Sequence, residues 1–328
     1  MNIKKFIIFL SVSVLFLVGA ITLYIVIKPT LNSEEEQSIE FKKYNAIFEL
    51  ELFEENHDKY YIINGLSVNY LYGENHSGTL TIPESIDNIP IKKILSKEKA
   101  FSEYRALTKI IISKNIIYIG TNINDNSYGN KIFKESTNLK FIEVDENNPV
   151  YKSVNGILYS KDESILLKVP YSYVLNDELH FKVSDKVEHI YDDAFVNNKK
   201  LRGVTLSSSV KSIGDNAFNN CESLVNVEIP TNSNLEKIGN GTFKNCSSLT
   251  SLTFPQGLTY IGNMAFSTCG NLGGVYIPSS VVSFGLNIAT ASPNIRIYTD
   301  ANNVNNLKNK YELFGFKLSE VDNRILQK

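Results

Sequence analysis

The chain holds three thiols, Cys221, Cys246 and Cys269, spaced 25 and 23 residues apart. Thiols in a set could ligate zinc, and in an oxidising compartment they could form disulfides. Spacings this long fit no zinc pattern, and three cysteines cannot all pair. Each also stands at the same place in a repeated phrase, where cysteine serves as a small buried hydrophobe. The four histidines, His57, His76, His180 and His189, are scattered, without the paired spacing of metal ligands. No G-x-S-x-G elbow is present, and Gly239-Asn240-Gly241 lacks the third glycine and the strand-to-helix context of a phosphate loop. The Asn-rich run Thr121 to Lys131 has Ser127 where a calcium loop needs glycine, and Phe133 where it needs glutamate. Three Asn-x-Ser/Thr sequons, at Asn75, Asn240 and Asn245, are what chance produces in so Asn-rich a chain. These residues assign no catalytic site, no cofactor and no metal, and the chain reads as a non-enzyme.

The elements that hold the cysteines are plainer. IGDNAFNNCESLVNVEIP, IGNGTFKNCSSLTSLTFP and IGNMAFSTCGNLGGVYIP align on Phe218, Phe243 and Phe266. Self-similarity at this period means a solenoid, in which each unit buries its apolar side only against its neighbours. Within one unit, Val227 and Ile229 alternate with Glu228 and should point inward from a short strand that Pro230 ends. Ile213-Gly214 reads as a second extended piece closed by a glycine-permitted turn. Ala217 and Phe218 form a small-and-large plug on the far wall. Looser copies run toward the N-terminus: Ala194-Phe195 with Leu201 and Val204, Ile132-Phe133 with Ile142, and Ala100-Phe101 with Ile110. Strands at Leu80-x-Ile82 and Ile295-x-Ile297 bracket the series. Between them, Ile157 to Tyr159 and Ile165 to Val169 read as a hairpin turned at SKDE, followed by a partial unit at Leu179-x-Phe181-x-Val183. The expected fold is a mainly β repeat solenoid of about eight coils with capping ends, more than the few that stability needs.

The phrase I-G-x-x-A-F-x-x-C-x-x-L-x-x-V-x-I-P resembles the BspA-type leucine-rich repeats of bacterial and protist surface proteins. The likeness covers roughly residues 60–316 and is most specific in the three late repeats. Asn147 to Pro170 is similar to the hairpin insertion of that family, and Thr79 to Ile94 to its opening phrase. The resemblance implies a curved leucine-rich-repeat solenoid, surface display and adhesion to proteins or cells. It carries no catalytic residues and no fixed binding motif.

Residues Phe6 to Ile27 are 22 positions without a charge. At about 1.5 Å per residue, a helix of that length crosses the roughly 30 Å apolar core of a membrane. Lys4 and Lys5 ahead of it favour an N-inside, single-pass orientation with the solenoid extracellular. The alternative is a cleaved secretory signal, although the apolar run continues past Gly19 and Ala20, which would release the solenoid. The expected organisation is an anchor or signal over 1–28, a tether and N-terminal cap over 29–58, and the solenoid over 59–299 with its hairpin insertion near 147–170. A C-terminal cap follows over 300–328, in which Asp300 caps a helix bearing Val304, Leu307 and Tyr311, Gly315 closes it, and Phe316-x-Leu318 returns as a strand. Hydrophobic residues make up 43% of the chain and net charge is −2, a balance that can bury a core and offers nothing to attract nucleic acid.

A solenoid works by offering surface. The outward positions of the main strands include Lys109, Ile111, Phe141, Glu143, Asn226, Glu228, Thr253 and Tyr276. Phe141 and Tyr276 are aromatics placed toward solvent, as interface anchors are, although Thr, Tyr and Phe are also good strand formers in a solvated sheet. The insertions, Thr121 to Lys131 and Asn155 to Lys168, form a second candidate surface. The expectation is a membrane-anchored surface protein binding an extracellular protein or glycan, with an envelope scaffold on its own cell as the alternative.

Overall fold

Two columns of short strands, one on each wall, define the molecule. The computed structural model describes residues 25–26, 37–67, 78–95, 106–120, 133, 136–173 and 179–328. The main wall comes in three stretches. Thr79–Thr81, Lys109–Ile112 and Phe141–Val144 form the first, and His180–Lys182, Gly203–Thr205 and Asn226–Glu228 the second. Ser251–Thr253, Gly274–Tyr276, Arg296–Thr299 and Ile325–Gln327 form the third. Pairing within each stretch is parallel, and inward residues such as Ile110, Ile142, Val204, Leu252 and Val275 are buried. From Thr79–Thr81 to Arg296–Thr299 the solenoid makes about nine turns. The turn beyond the expected eight arises because His180–Lys182 pairs fully with Gly203–Thr205, so the partial unit around Phe181 closes a coil.

On the opposite wall an eight-stranded sheet runs Tyr151–Val154, Ile157–Ser160, Ile165–Lys168, His189–Ile190, Ser212–Ile213, Lys237–Ile238, Tyr260–Ile261 and Ser283–Phe284. The insertion therefore has three strands where two were expected. Asn155 and Gly156, both with positive φ (52° and 83°), make the extra two-residue turn. Its last strand pairs in parallel with His189–Ile190, so the insertion starts this wall rather than decorating it.

The repeat phrase has a physical cause at each position. Phe195, Phe218, Phe243 and Phe266 are fully buried and stack coil upon coil at centroid separations of 4.7, 5.4 and 6.3 Å. Each cysteine Sγ donates to the carbonyl of the phenylalanine one coil back: Cys221 to Phe195 (3.2 Å), Cys246 to Phe218 (3.1 Å) and Cys269 to Phe243 (3.0 Å). Ser292 Oγ then makes the same bond to Phe266 at 2.6 Å. The three cysteines are buried free thiols, and burial pushes Cys221 and Cys269 up to about 12. Gly214 and Gly239 have ordinary φ, so their role differs from the turn expected of them. A Cβ on Gly214 would lie 2.6 Å from Asp192 N, and one on Gly239 2.6 Å from Asp215 N, so glycine is needed because successive coils touch there. The left-handed positions lie further along, at Asn216, Gly241, Met264 and Asn287, and again at Asn220, Asn245, Thr268 and Ala291.

Both ends are covered. Helix Ile39–Asn45, whose N-cap Ser38 Oγ accepts from Phe41 N (2.8 Å), packs beside the hairpin Phe48–Glu55 and Asp58–Leu66. The second strand of that hairpin runs parallel to Ile89–Leu95 and joins the cap to the solenoid. At the C-terminus, Val304–Lys308 is helical but shorter than expected: Tyr311 belongs to a separate 3-10 turn, Tyr311–Phe314, and it is this turn that Gly315 closes at φ 73°. Two other expectations there fail. The returning strand is Ile325–Gln327 instead of Phe316 to Leu318, because Phe314 and Phe316 are spent plugging the last coil. Asp300 makes no capping bond; its carboxylate faces the sheet. Of the expected transmembrane span over 6–27, only Ile25 and Val26 are described, and they pair antiparallel with Glu54 and Phe53. The remainder, and the Thr121 to Lys131 loop, lie outside the described residues. No helix among the described residues is long and apolar enough to cross a membrane.

Candidate binding surface

Strand alternation decides which residues of the main wall reach solvent. All eight expected surface residues point outward, with Ile110, Ile112, Ile142, Val144, Val227, Leu252 and Val275 buried between them. They do not form one unbroken row, because the wall is divided.

On the first stretch, Lys109 and Glu143 form a diagonal ion pair across Lys109–Ile112 and Phe141–Val144, with Ile111 half-exposed in register beside Glu143. Phe141 is 42% exposed and rests on Gly156, whose missing side chain makes room for the ring. The insertion interrupts the wall here, and Ile142 N donates to Gly156 O at 2.9 Å. Phe141 thus stands at a step, backed by a tight turn. The insertion is itself pinned: Glu163 accepts from Lys152 (2.5 Å) and from Lys186 of the following coil (2.9 Å), which holds its carboxyl below the usual range.

The second stretch carries a polar chain across three coils. Thr205 Oγ1 donates to Glu228 Oε2 (2.7 Å) and lies 2.8 Å from His180 Nε2, while Asn226 Nδ2 donates to Glu228 Oε1 (3.1 Å). With the Thr205 proton committed to Glu228, His180 Nε2 must be the protonated nitrogen. Gly203 lies under the His180 ring and is buried. His180 was legible only as a scattered histidine; its place one coil before Thr205 was the signal available.

On the third stretch Thr253 is exposed, but Tyr276 is held. Its hydroxyl donates to Asp300 Oδ1 (2.7 Å) and accepts from Gln256 Nε2 (3.0 Å), and Lys328 Nζ sits 4.2 Å from its ring centre. Ser279 N donates to Asp300 Oδ2 (2.9 Å). These donors, the Tyr276 hydroxyl first, hold Asp300 at about 2; burial, then the carboxylate, pushes Tyr276 up to about 12. Tyr298 is in register beside Tyr276, and its ring covers Gly274. Carrying the repeat one coil further locates Tyr298 from sequence; Gln256, Asp300 and Lys328 have no repeat signal. Among the described residues this wall offers hydrogen bonds, paired charges and one exposed aromatic, Phe141, an arrangement suited to binding.

Residues 173–296 match the model of the BspA type leucine rich repeat region in six copies. Among solved structures, a leucine-rich repeat protein from Eubacterium ventriosum ATCC 27560 superposes with a TM-score of 0.55 at 23% identity, covering 67% of this chain and 54% of that one. The chain therefore spans about half the length of that protein. The pneumococcal vaccine antigen PcpA gives a TM-score of 0.49 at 21% identity, over 68% of each chain. A leucine rich cell surface protein from Faecalibacterium prausnitzii A2-165 gives 0.45 at 17% identity, over 76% of this chain and 93% of that one. No curated protein matches the sequence.

Proposed function

We propose, from the match of residues 173–296 to the BspA type leucine rich repeat model, that this chain is a membrane-anchored surface protein that binds an extracellular protein or glycan and serves adhesion. The apolar run over 6–27 supplies the anchor and the solenoid is presented outside the cell. The observation that carries the reading is Phe141: an aromatic with 42% of its surface exposed, set at a step in the wall and backed by Gly156, beside the Lys109–Glu143 pair. A rigid, partly exposed aromatic ringed by polar groups is the usual form of an interface anchor.

The test has two arms. Protease added to intact cells should remove the repeat domain and leave a small membrane-held fragment; full protection, with digestion only after lysis, refutes surface display. Full-length protein should then bind matrix proteins, glycans or foreign cells, and Phe141→Ala should weaken binding about tenfold or more, the loss expected of an anchor. Crosslinked partners found only in the producing cell's own envelope would replace adhesion by a scaffold role.

A further inference from the structure

We propose that the C-terminal edge of the second wall is a dimerisation surface, where strand Ser283–Phe284 pairs antiparallel with the same strand of a second copy of this chain across a two-fold axis. This rests on the end of the solenoid, away from Phe141, and does not depend on the reading above. The C-terminal cap fills the last coil and extends the main wall with Ile325–Gln327, but among the described residues no strand follows Ser283–Phe284 on the second wall. The ladder to the coil before it uses Ser283 and Gly285: Ser283 N donates to Thr259 O (3.2 Å) and Gly285 N to Ile261 O (2.7 Å). The amide and carbonyl of Phe284 therefore face the other way, to where a further coil would stand, and have no partner among the described residues. At Ile261, the matching residue one coil back, the carbonyl is already taken by Gly285.

This coil also breaks the period in one direction. Val282 follows Glu188, Lys211, Glu236 and Thr259 at its place in the repeat, and Leu286 follows Asp192, Asp215, Asn240 and Asn263. Each of those earlier coils has a polar residue at both places, yet Val282 and Leu286 are 74% and 59% exposed. Met264, another exposed apolar side chain, adjoins Leu286, whose carbonyl accepts from Met264 N (2.9 Å). No charge and no proline occurs from Val281 to Ile288, so the strand itself lacks the devices that keep an edge unpaired. Phe284 is fixed in place, its ring centre 5.7 Å from that of Phe314 and 5.3 Å from Lys310 Nζ.

The occupant these features fit is a second copy. In an antiparallel pair, a residue whose N–H and C=O both point outward exchanges two hydrogen bonds with the residue opposite. A two-fold axis through this strand makes that residue the second copy's Phe284, and both outward groups are satisfied at once. The same register sets Val282 opposite the second copy's Leu286, and Leu286 opposite its Val282. The two exposed apolar side chains lie equally far on either side of the residue that offers the bonds, so one axis brings them together. An isologous contact of this kind closes on itself, and association stops at the dimer.

Sedimentation of the full-length protein in mild detergent should show a dimer. The double variant Val282→Thr, Leu286→Asn restores the residues of the coil before, Thr259 and Asn263. It should keep its circular dichroism and weaken dimerisation about tenfold or more, while Phe141→Ala leaves the dimer intact. The register has its own test in Val282→Cys, Leu286→Cys. Opposed residues of a hydrogen-bonded antiparallel pair stand about 5.5 Å apart at Cα, within disulfide range, so mild oxidation should link two copies. Either cysteine alone has none opposite it and should not, and the three native thiols are buried. A monomer at every concentration, its edge left to a peptide of another protein, would overturn the assignment. So would a dimer undiminished in the Thr/Asn variant, or single cysteines that link as readily as the pair.

Discussion

Thr268 is a β-branched residue held at φ 60°, in the left-handed region that such residues avoid. It occupies the place filled by asparagine in the three preceding coils, and the backbone there is the same. Asn197 N, Asn220 N, Asn245 N and Thr268 N each donate one coil on, to the carbonyl of the residue just before the matching one (Asn219, Lys244, Ser267 and Thr290), at 2.8, 2.9, 3.0 and 2.9 Å. The asparagines also form a ladder: Asn220 Nδ2 donates to Asn197 Oδ1 (2.8 Å) and Asn245 Nδ2 to Asn220 Oδ1 (2.6 Å). At Thr268 the ladder stops, and its hydroxyl has only a long 3.5 Å contact with Ser267 Oγ. Thr268→Asn should therefore stabilise the protein through two terms. Left-handed strain relieved is worth about 1 kcal/mol. One further hydrogen bond, to Asn245 Oδ1 on a partly exposed surface, adds about 0.5 kcal/mol.

The expected gain of about 1.5 kcal/mol corresponds to a rise in melting temperature of roughly 3–6 °C for a domain of this size. Urea unfolding followed by circular dichroism gives the free energy, and tyrosine fluorescence serves as the second probe because the chain has no tryptophan. The reciprocal change, Asn220→Thr, installs the strain and removes both ladder bonds, and should cost about 2 kcal/mol or more. An unchanged or lowered midpoint in Thr268→Asn would refute the argument that backbone strain, relieved by asparagine, explains this column.

Two other outcomes follow from the interior. Phe218→Ala empties a fully buried site between rings at 4.7 and 5.4 Å and should cost about 4 kcal/mol; because each coil leans only on its neighbours, urea melts should also split into two transitions, and a single transition shifted by less than about 1 kcal/mol would contradict this. The thiols, buried and with Cys221 and Cys269 raised to about 12, should resist an aromatic disulfide reagent in native protein at neutral pH and yield three equivalents after unfolding, while Cys246→Ser should fold normally because Ser292 already makes the same bond to a phenylalanine carbonyl; rapid native reaction would refute the burial.

How much of this was open to sequence reasoning depends on whether a residue's job is local or lies between coils. Phe218 and its equivalents were legible as plugs because a large residue beside a small one, recurring at a fixed interval, can only be core. The cysteines were legible as buried for the same reason, although their bond to the phenylalanine carbonyl one coil back joins residues 26 or 28 apart and leaves no local trace. Gly214 was read as a turn glycine; its requirement is the approach of the preceding coil, which no window of neighbouring residues displays. The Asn155-Gly156 turn is the opposite case. Its two-residue signal was present, and the longer SKDE turn nearby, with Asp162 bound by Ser160 and Ser164, drew the hairpin to itself.

The surface follows a harsher rule. Inward positions are constrained by every neighbour in the stack, so alternation placed all eight outward residues on the solvent side. What those residues do there depends on sideways partners that the repeat does not encode. Tyr276 could be read as an exposed aromatic, yet Asp300, Gln256 and Lys328 tie it down, and each comes from a different part of the chain. Phe141 stays available because the insertion breaks the wall beside it and puts a glycine beneath its ring. In a solenoid the core is periodic and therefore predictable, whereas recognition lies in the departures from the period.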